Sequence, residues 1–209
     1  MTELRILSRA RWPDPGRAAP DLPDRLPPLP GFSASSFNPL VAEAAERCLR
    51  AHHGAAPAPG RTALLLASAG GDRATARAIE EAASSGRRVP PLLFFQSNPN
   101  AVLGHIAARW GLTGPVVAIS PVEAPPDGLP QDALDLAALL LADGDADHVL
   151  IVAAEQADPG AGERADASEP GAAGPGDVQP GSASGQAATG PDDGRTGTDR
   201  AVAVLVTAA

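Results

Sequence analysis

The chain of 209 residues is acidic: it has 16 lysine and arginine residues against 25 aspartate and glutamate residues, a formal net charge of −9 at pH 7. This length suits one domain with a hydrophobic core. The charge argues against nucleic acid or an anionic membrane as partner, and a single cysteine excludes an intrachain disulfide. Because the N-terminus lacks a long apolar stretch and no run of about 18 apolar residues follows, we expect a soluble cytoplasmic protein.

The first quarter of the chain predicts a strand, an extended segment and a helix. Residues 2–10 alternate between apolar and polar side chains, which is typical of a strand. Residues 12–36 contain seven prolines and are predicted to be extended, because proline interrupts helices and central strands. Asn38-Pro39 predicts a capped helix that ends near His52. Cys48 lies on its inner face, so we interpret it as a buried hydrophobic residue rather than a nucleophile.

Two features between residues 52 and 72 could indicate a ligand-binding site. His52 and His53 are adjacent, and adjacent helix residues point in different directions, so the pair is a poor metal site. Gly70-Gly71 follows a predicted buried strand at 62–68 and precedes a helix that begins at Asp72, an arrangement that can cradle phosphate. Because it lacks a lysine and the fuller nucleotide-binding motifs, we interpret it as a tight turn.

Residues 97–120 predict a helix followed by a buried strand. Asn98 and Pro99 suit the start of the helix, and Gly111 suits a left-handed cap at its end. The predicted inner face of this helix consists of Leu103, Ile106, Ala107 and Trp110. The strand at 116–119 is apolar on both faces, which is typical of a sheet covered by helices. We therefore predict an α/β fold.

The last third of the chain predicts a helix, two strands and a low-complexity insertion. Residues 132–143 form a helix that is apolar on nearly every side, so we expect it to be buried between two layers. Buried strands are predicted at 148–154 and 200–207. Residues 157–196 contain almost no large apolar side chain and are predicted to be disordered. The folded domain is predicted to comprise residues 1–156 and 197–209.

The motif NAVLGHIAARWGLTGP at 100–115, followed by an apolar strand, resembles the N-terminal half of β-ketoacyl synthases. It is most similar to the small chain-length-factor-like branch of that family, and GDAD at 144–147 before a strand resembles the same pattern. The resemblance implies half of a thiolase-like fold. In that fold a mixed five-stranded sheet of order 3-2-1-4-5 is covered by helices, with the last strand antiparallel and the third at the edge.

The resemblance also implies where catalysis would take place. In active ketoacyl synthases a nucleophilic cysteine follows the third strand at a helix N-terminus, where the helix dipole stabilises a thiolate. Here Glu123 lies near that position. The family's two catalytic histidines and its lysine belong to a C-terminal half that this sequence does not contain. We therefore do not expect condensation by this chain alone, and a carboxylate role for Glu123 or Asp127 is the alternative.

Two further site hypotheses involve His105. It lies in the GHIA part of the motif, away from the inner face of the helix, where a packed or solvated histidine and an interface residue are both compatible with the pattern. Ser97, His105 and Asp145 are the residue types of a hydrolytic triad. No nucleophile-elbow spacing supports such a triad.

The resemblance implies a noncatalytic, chain-length-factor-like partner protein in fatty-acid-like or polyketide biosynthesis, without a cofactor or metal. The edge strand would join a second copy or a full-length ketosynthase, and an acyl carrier protein would be met through that partner. The alternatives are an acyl-thioester enzyme (a decarboxylase or acyltransferase) that depends on a partner subunit, and a small-ligand-binding α/β module that uses Gly70-Gly71. The predicted interface residues are Asn100, His105, Val116, Val117, Ala118 and Ile119.

Overall fold

The structure is a computed structural model that describes residues 3–14, 26–123, 125, 128–157 and 198–209. Its contacts divide the chain into one unit of Met1–Gln156 with Asp199–Ala209 and another of Ala157–Thr198. The first unit contains every element described below. Most of the predicted disordered insertion, from residue 158 onwards, lies outside the described residues, as do residues 15–25 of the predicted extended segment.

Five strands and five helices make up the described part of the first unit. In chain order they are β1 (Leu4–Trp12), α1 (Phe37–His53), β2 (Thr62–Ala67), α2 (Arg73–Ser84), α3 (Pro91–Ser97), α4 (Pro99–Trp110), β3 (Val116–Ile119), α5 (Gln131–Ala142), β4 (His148–Glu155) and β5 (Arg200–Ala208). None of these helices is both long enough and apolar enough to cross a membrane.

The five strands form one mixed sheet in the order β1-β5-β4-β2-β3. β2 runs parallel to both β3 and β4, whereas β5 runs antiparallel to both β4 and β1. This arrangement confirms the α/β class, the mixed five-stranded sheet, the antiparallel last strand and the position of β3 at an edge.

The position of β1 differs from the expected order of 3-2-1-4-5. Counted along this chain the order is 3-2-4-5-1, so β1 lies at the edge opposite β3. The side chains explain the difference. Residues 149–152 of β4 are buried on both faces of the strand, whereas Arg5, Ile6 and Arg9 of β1 are exposed. A strand that is apolar on both faces suits the middle of a sheet, and a partly charged strand suits its edge.

Helices cover the two faces of the sheet unequally. α1 and α4 pack on one face, with Leu40, Leu103 and Trp110 in the core. On the other face, α5 is the described helix in the core, and it contributes Ala133, Ala137 and Leu140. The prediction that this helix is buried between two layers is wrong, because no described element covers its outer side and Leu139 is 54% exposed.

The ends of the helices test the capping predictions. The Asn98 side chain accepts a hydrogen bond from the Asn100 N–H at 3.0 Å, and Gly111 ends α4 at a φ of 66°, so both predictions for α4 are confirmed. The cap predicted at Asn38 is wrong: α1 is preceded by Ser36, and Asn38 is buried within its first turn. α3 is an additional helix that the apolar pattern of its residues does not predict.

Candidate functional site

The loop between β3 and α5 is the position at which the resemblance places a catalytic nucleophile. Glu123 is exposed there, and its neighbour Val122 is 95% exposed. α5 begins at Gln131, after Pro130, and no described side chain caps it, so Glu123 lies in the loop that precedes the helix. Its side chain is exposed and lines a surface depression together with Gln131 and Asp132 at the start of α5. Asp127, the other candidate carboxylate, lies outside the described residues.

Cys48, the one cysteine of the chain, lies in the core between α1 and the sheet. It is fully buried, and its thiol lies 3.3 Å from the hydroxyl of Ser8 on β1. Burial raises the pKa of the Cys48 thiol. A buried thiol with a raised pKa is a poor nucleophile, so the geometry supports the structural interpretation of this residue.

The turn at Gly70-Gly71 is occupied by a side chain of the protein itself. The Glu155 carboxylate, at the end of β4, accepts hydrogen bonds from the N–H groups of Ala69 at 2.5 Å and Gly70 at 3.1 Å. The N–H of Gly71 donates to the hydroxyl of Ser68 at 2.9 Å. Since all three donors already have acceptors, the turn offers no free cradle for a phosphate. This geometry argues against the small-ligand-binding module.

A buried polar cluster at the same end of the sheet was not predicted from the sequence. Asn38 is 2% exposed and Gln96 is 1% exposed. The Asn38 amide donates to the Asp72 carboxylate at 3.3 Å and to the Gln96 carbonyl at 3.1 Å. These bonds tie the first turn of α1 to the start of α2 and to the end of α3. The one sign of this cluster in the sequence is an asparagine, Asn38, that lies among the buried residues of a helix.

His105 faces α1 rather than the edge of the sheet. Its ring lies 6.1 Å from that of Phe32 in an edge-on arrangement. It lines a cavity of about 310 Å³ together with Glu46 of α1, Arg109 of α4 and the prolines of residues 27–30. On a helix of 3.6 residues per turn, Asn100 points roughly 140° away from His105. The two residues proposed to flank β3 therefore do not share one surface.

The hypothetical triad is not assembled. The Ser97 hydroxyl donates to the Phe94 carbonyl at 2.9 Å within its own helix. His105 lies against Phe32, and Asp145 precedes β4, at the end of the sheet where that strand begins. Ser97 follows Gln96, which lies at the opposite end, where β2 leads into α2. The three side chains cannot cooperate in hydrolysis.

β3 is the free edge of the sheet on its side, since β2 is its partner in the described sheet. The N–H groups of Leu64 and Ser68 donate to the carbonyls of Pro115 and Ile119 at 2.8 and 3.1 Å. Because backbone groups alternate in direction along a strand, those of Val116 and Ala118 point away from β2. The Val116 side chain is 41% exposed, whereas Val117 and Ile119 pack towards the α5 face and Ala118 towards the α1 face.

Three imidazoles lie close together at the end of α1. His52 and His53 are adjacent in the sequence, and the fold adds His148. The ring of His148, at the start of β4, lies 6.3 Å from that of His52 and 6.4 Å from that of His53. Among the described residues, no group of histidine, cysteine, aspartate or glutamate side chains is arranged to hold a metal ion. Burial and the neighbouring imidazoles lower the pKa of His53, and burial lowers that of His148.

Comparison with known proteins identifies the fold. No family model and no curated protein matches the sequence. Three similar solved structures are a ketosynthase in complex with its chain length factor from Xenorhabdus doucetiae (TM-score 0.61, 18% identity), the ishigamide ketosynthase/chain length factor (0.56, 18%) and a β-ketoacyl synthase from Burkholderia phymatum (0.58, 20%). The matches cover 100%, 87% and 93% of this chain.

The lengths of these proteins differ. The match spans 80% of the chain from the first structure, but 46% and 47% of the chains from the second and third, so this chain corresponds to about half of each of the latter two. At identities of 20% or less the likeness concerns the fold. The domain described here has the thiolase-like fold of ketosynthases and chain length factors.

Proposed function

We propose that this chain is a noncatalytic, chain-length-factor-like subunit that pairs with a full-length ketosynthase in fatty-acid-like or polyketide biosynthesis. The observation that carries the proposal is the combination of a free apolar strand edge at β3 with a β3–α5 loop that has no thiol. The partner would supply the chemistry and would meet the acyl carrier protein.

The edge of β3 supports pairing with another chain. Its outward backbone groups, at Val116 and Ala118, are hydrogen-bonding groups that a partner strand could satisfy. The opposite edge of the sheet, β1, carries Arg5, Arg9 and Arg11. Charged side chains are a common means by which proteins prevent edge pairing. β3 has no charged residue, so the two edges differ in their suitability for a partner strand.

The chemistry of the β3–α5 loop supports a noncatalytic role. Glu123, its described carboxylate, is exposed, and the one cysteine of the chain is buried against β1. A ketosynthase partner would bring its own nucleophile to the complex. The chain would then act without chemistry of its own, through the shape of the surface that contacts the partner.

Native mass spectrometry of the chain, co-expressed with a ketosynthase encoded beside it, tests this proposal. We expect a one-to-one heterodimer. Val116→Lys, which adds a charge to the β3 edge, should abolish it. Ile6→Lys is the matched control because Ile6 is 61% exposed on the opposite edge strand, and it should leave the heterodimer intact. Failure of the wild-type chain to bind the ketosynthase would refute the proposal.

An activity measurement separates this role from that of an acyl-thioester enzyme. The purified chain should not turn over malonyl thioesters, and Glu123→Ala should leave the activity of the complex unchanged. A rate that depends on Glu123 would show that the loop carboxylate takes part in chemistry, and the enzyme hypothesis would then replace this one.

A further inference from the structure

α3 presents most of its large apolar side chains to solvent and the polar side chain of Gln96 to the interior. Leu92, Phe94 and Phe95 are 54%, 57% and 58% exposed, whereas Gln96 is 1% exposed. Large apolar side chains grouped in this way on a surface usually mark a contact with another molecule. The exposure of these apolar side chains, together with the burial of Gln96, is therefore the feature of α3 that needs an explanation.

Hydrogen bonds fix α3 in this orientation. The Gln96 side-chain amide donates to the Gly31 carbonyl at 2.7 Å and accepts from the Ala34 N–H at 3.2 Å. Its backbone carbonyl accepts from Asn38 at 3.1 Å. Rotating the helix to bury its phenylalanines would leave these buried polar groups without partners, at a cost of about 1–3 kcal/mol for each group. The outward apolar face is thus maintained by the interior.

The rest of this chain is poorly suited to cover that face. The two long segments that the structure does not describe, residues 15–25 and 158–197, contain only one large aliphatic residue each, Leu22 and Val178, and no aromatic residue. A segment of this composition cannot bury three large apolar side chains against comparable apolar surface. The occupant of the face is therefore another molecule.

The area that a stable interface needs and the position of α3 both indicate that the molecule covering α3 is the subunit that pairs with β3. A stable interface buries about 800 Å² on each side, and β3 has only four residues, so pairing along β3 must extend onto neighbouring elements. α3 leads directly into α4 through Asn98, and α4 packs against β3. The chain's net charge of −9 also disfavours a second copy of itself, because like charges repel.

We infer that the α3 face, formed by Leu92, Phe94 and Phe95, is a second contact surface for the ketosynthase subunit and takes an apolar patch of that subunit. This inference rests on the proposed function. Under this inference, strand pairing at β3 is not sufficient for a stable complex, and the hydrophobic contacts at α3 are also required.

The test measures the Kd between the purified ketosynthase and variants of the full chain. Leu92→Ser/Phe94→Ser should raise the Kd at least tenfold, because exposed apolar anchors carry much of the energy of an interface. Leu139→Ser is the matched control, since Leu139 is also 54% exposed but lies on α5, and it should leave the Kd unchanged. Thermal melting of each variant verifies that it is folded.

Each other outcome overturns the inference in a distinguishable way. If the wild type binds and Val116→Lys does not, but the α3 variant binds as the wild type does, the α3 inference fails and the proposed function stands. If the wild type does not bind, both fail. If the α3 variant instead dissociates a homodimer of this chain, the occupant is a second copy. If Leu139→Ser weakens binding equally, the effect is not specific to α3.

Discussion

Glu46 of α1 accepts a hydrogen bond from the indole N–H of Trp110, on α4, at 2.6 Å. The same carboxylate accepts from both Nε and Nη2 of Arg109 at 2.9 and 3.1 Å. These contacts join the two helices that cover one face of the sheet. Trp110 is buried, so the bond also satisfies an indole N–H that would otherwise lack a partner.

The Glu46 contacts predict a specific pH dependence of stability. Hydrogen bonds from Arg109, together with those from Arg50 and Trp110, outweigh desolvation and lower the pKa of Glu46 from 4.5 to about 2. The ionised form is therefore favoured in the folded state. Its contribution is fully present above about pH 4.5 and disappears as the pH falls through about 2. Glu46→Gln should lower the free energy of unfolding at pH 7 by about 1–2 kcal/mol, after allowance for solvent screening.

Urea unfolding at pH 7 and at pH 2.5 measures this effect. The difference between Glu46→Gln and wild type should shrink at the lower pH. The matched control is Glu43→Gln, which removes the acidic partner of Arg47 within α1 and should change stability by no more than about 0.5 kcal/mol. Equal effects of the two substitutions would contradict the role given to Glu46.

Gly114 should be irreplaceable because the backbone of β2 lies against it. A Cβ at residue 114 would meet the Ala63 nitrogen and the Thr62 carbonyl carbon, each at 2.6 Å. Backbone atoms cannot move aside as the end of a flexible side chain can, so Gly114→Ala should cost about 2–3 kcal/mol and loosen the pairing of β3 with β2. Chemical denaturation measures the loss.

The same motif contains its own control for this prediction. Gly104 lies within α4, and a Cβ there would have no neighbour within 4 Å. Gly104→Ala should stabilise the protein by about 0.5–1 kcal/mol, because alanine favours the helix. A large loss of stability on Gly104→Ala would show that the helix surface at this point is not open.

Glu155 should stabilise the turn that follows β2. Glu155→Ala removes the acceptor of the Ala69 and Gly70 N–H groups. Because Ala69 is exposed and water can replace the carboxylate there, the substitution should cost about 0.5–1.5 kcal/mol. Glu80→Ala, on the exposed side of α2, should change stability by less than about 0.5 kcal/mol. The wild-type melting temperature should not rise with inorganic phosphate or ATP, and a rise of several degrees would reopen the ligand-binding hypothesis.

The histidine cluster should make the protein less stable in mild acid. The pKa values of His53 and His148 are lowered in the folded state, whereas an unfolded histidine titrates near 6.5. Below about pH 6.5 the unfolded chain therefore binds more protons than the folded chain, and stability falls as the pH falls. The neighbouring Asp147 carboxylate raises the pKa of His148, but burial and the His52 imidazole outweigh it, so the pKa remains lowered.

Melting temperatures at pH 8 and pH 5 check the prediction. His53→Gln/His148→Gln should lose less stability between these pH values than the wild type does. Parallel losses in the two proteins would mean that other groups cause the acid sensitivity.

Sequence predicted best where the signal is local. The asparagine-proline start and the glycine end of α4 are decided by backbone chemistry within a few residues, and both predictions are confirmed. The same reasoning failed at Asn38, which lies inside the first turn of α1, where its side-chain amide donates to the carbonyl of Gln96. A capping pattern cannot show that a tertiary acceptor lies near the side-chain amide in the fold.

Features that depend on strand order were not predicted. His148 joins His52 and His53 only because β4 lies in the middle of the sheet, which brings its first residue to the end of α1. Glu155 reaches the Gly70 turn for the same reason, since β4 is the neighbour of β2. The helical nature of α3 was missed because its stabilising contacts are made by Gln96, a polar residue in an apolar run.

The pairing of β1 with β5 has a consequence for how the protein is made. Leu4 pairs with Ala208, and within the described sheet β1 has no other neighbouring strand. β5 itself lies between β1 and β4, so β1 joins the sheet only through a strand that lies far from it in the sequence. Contacts between residues so distant in sequence form slowly. β1 must therefore remain unpaired until β5 has been synthesised, and the arginines of β1 would limit aggregation during this interval.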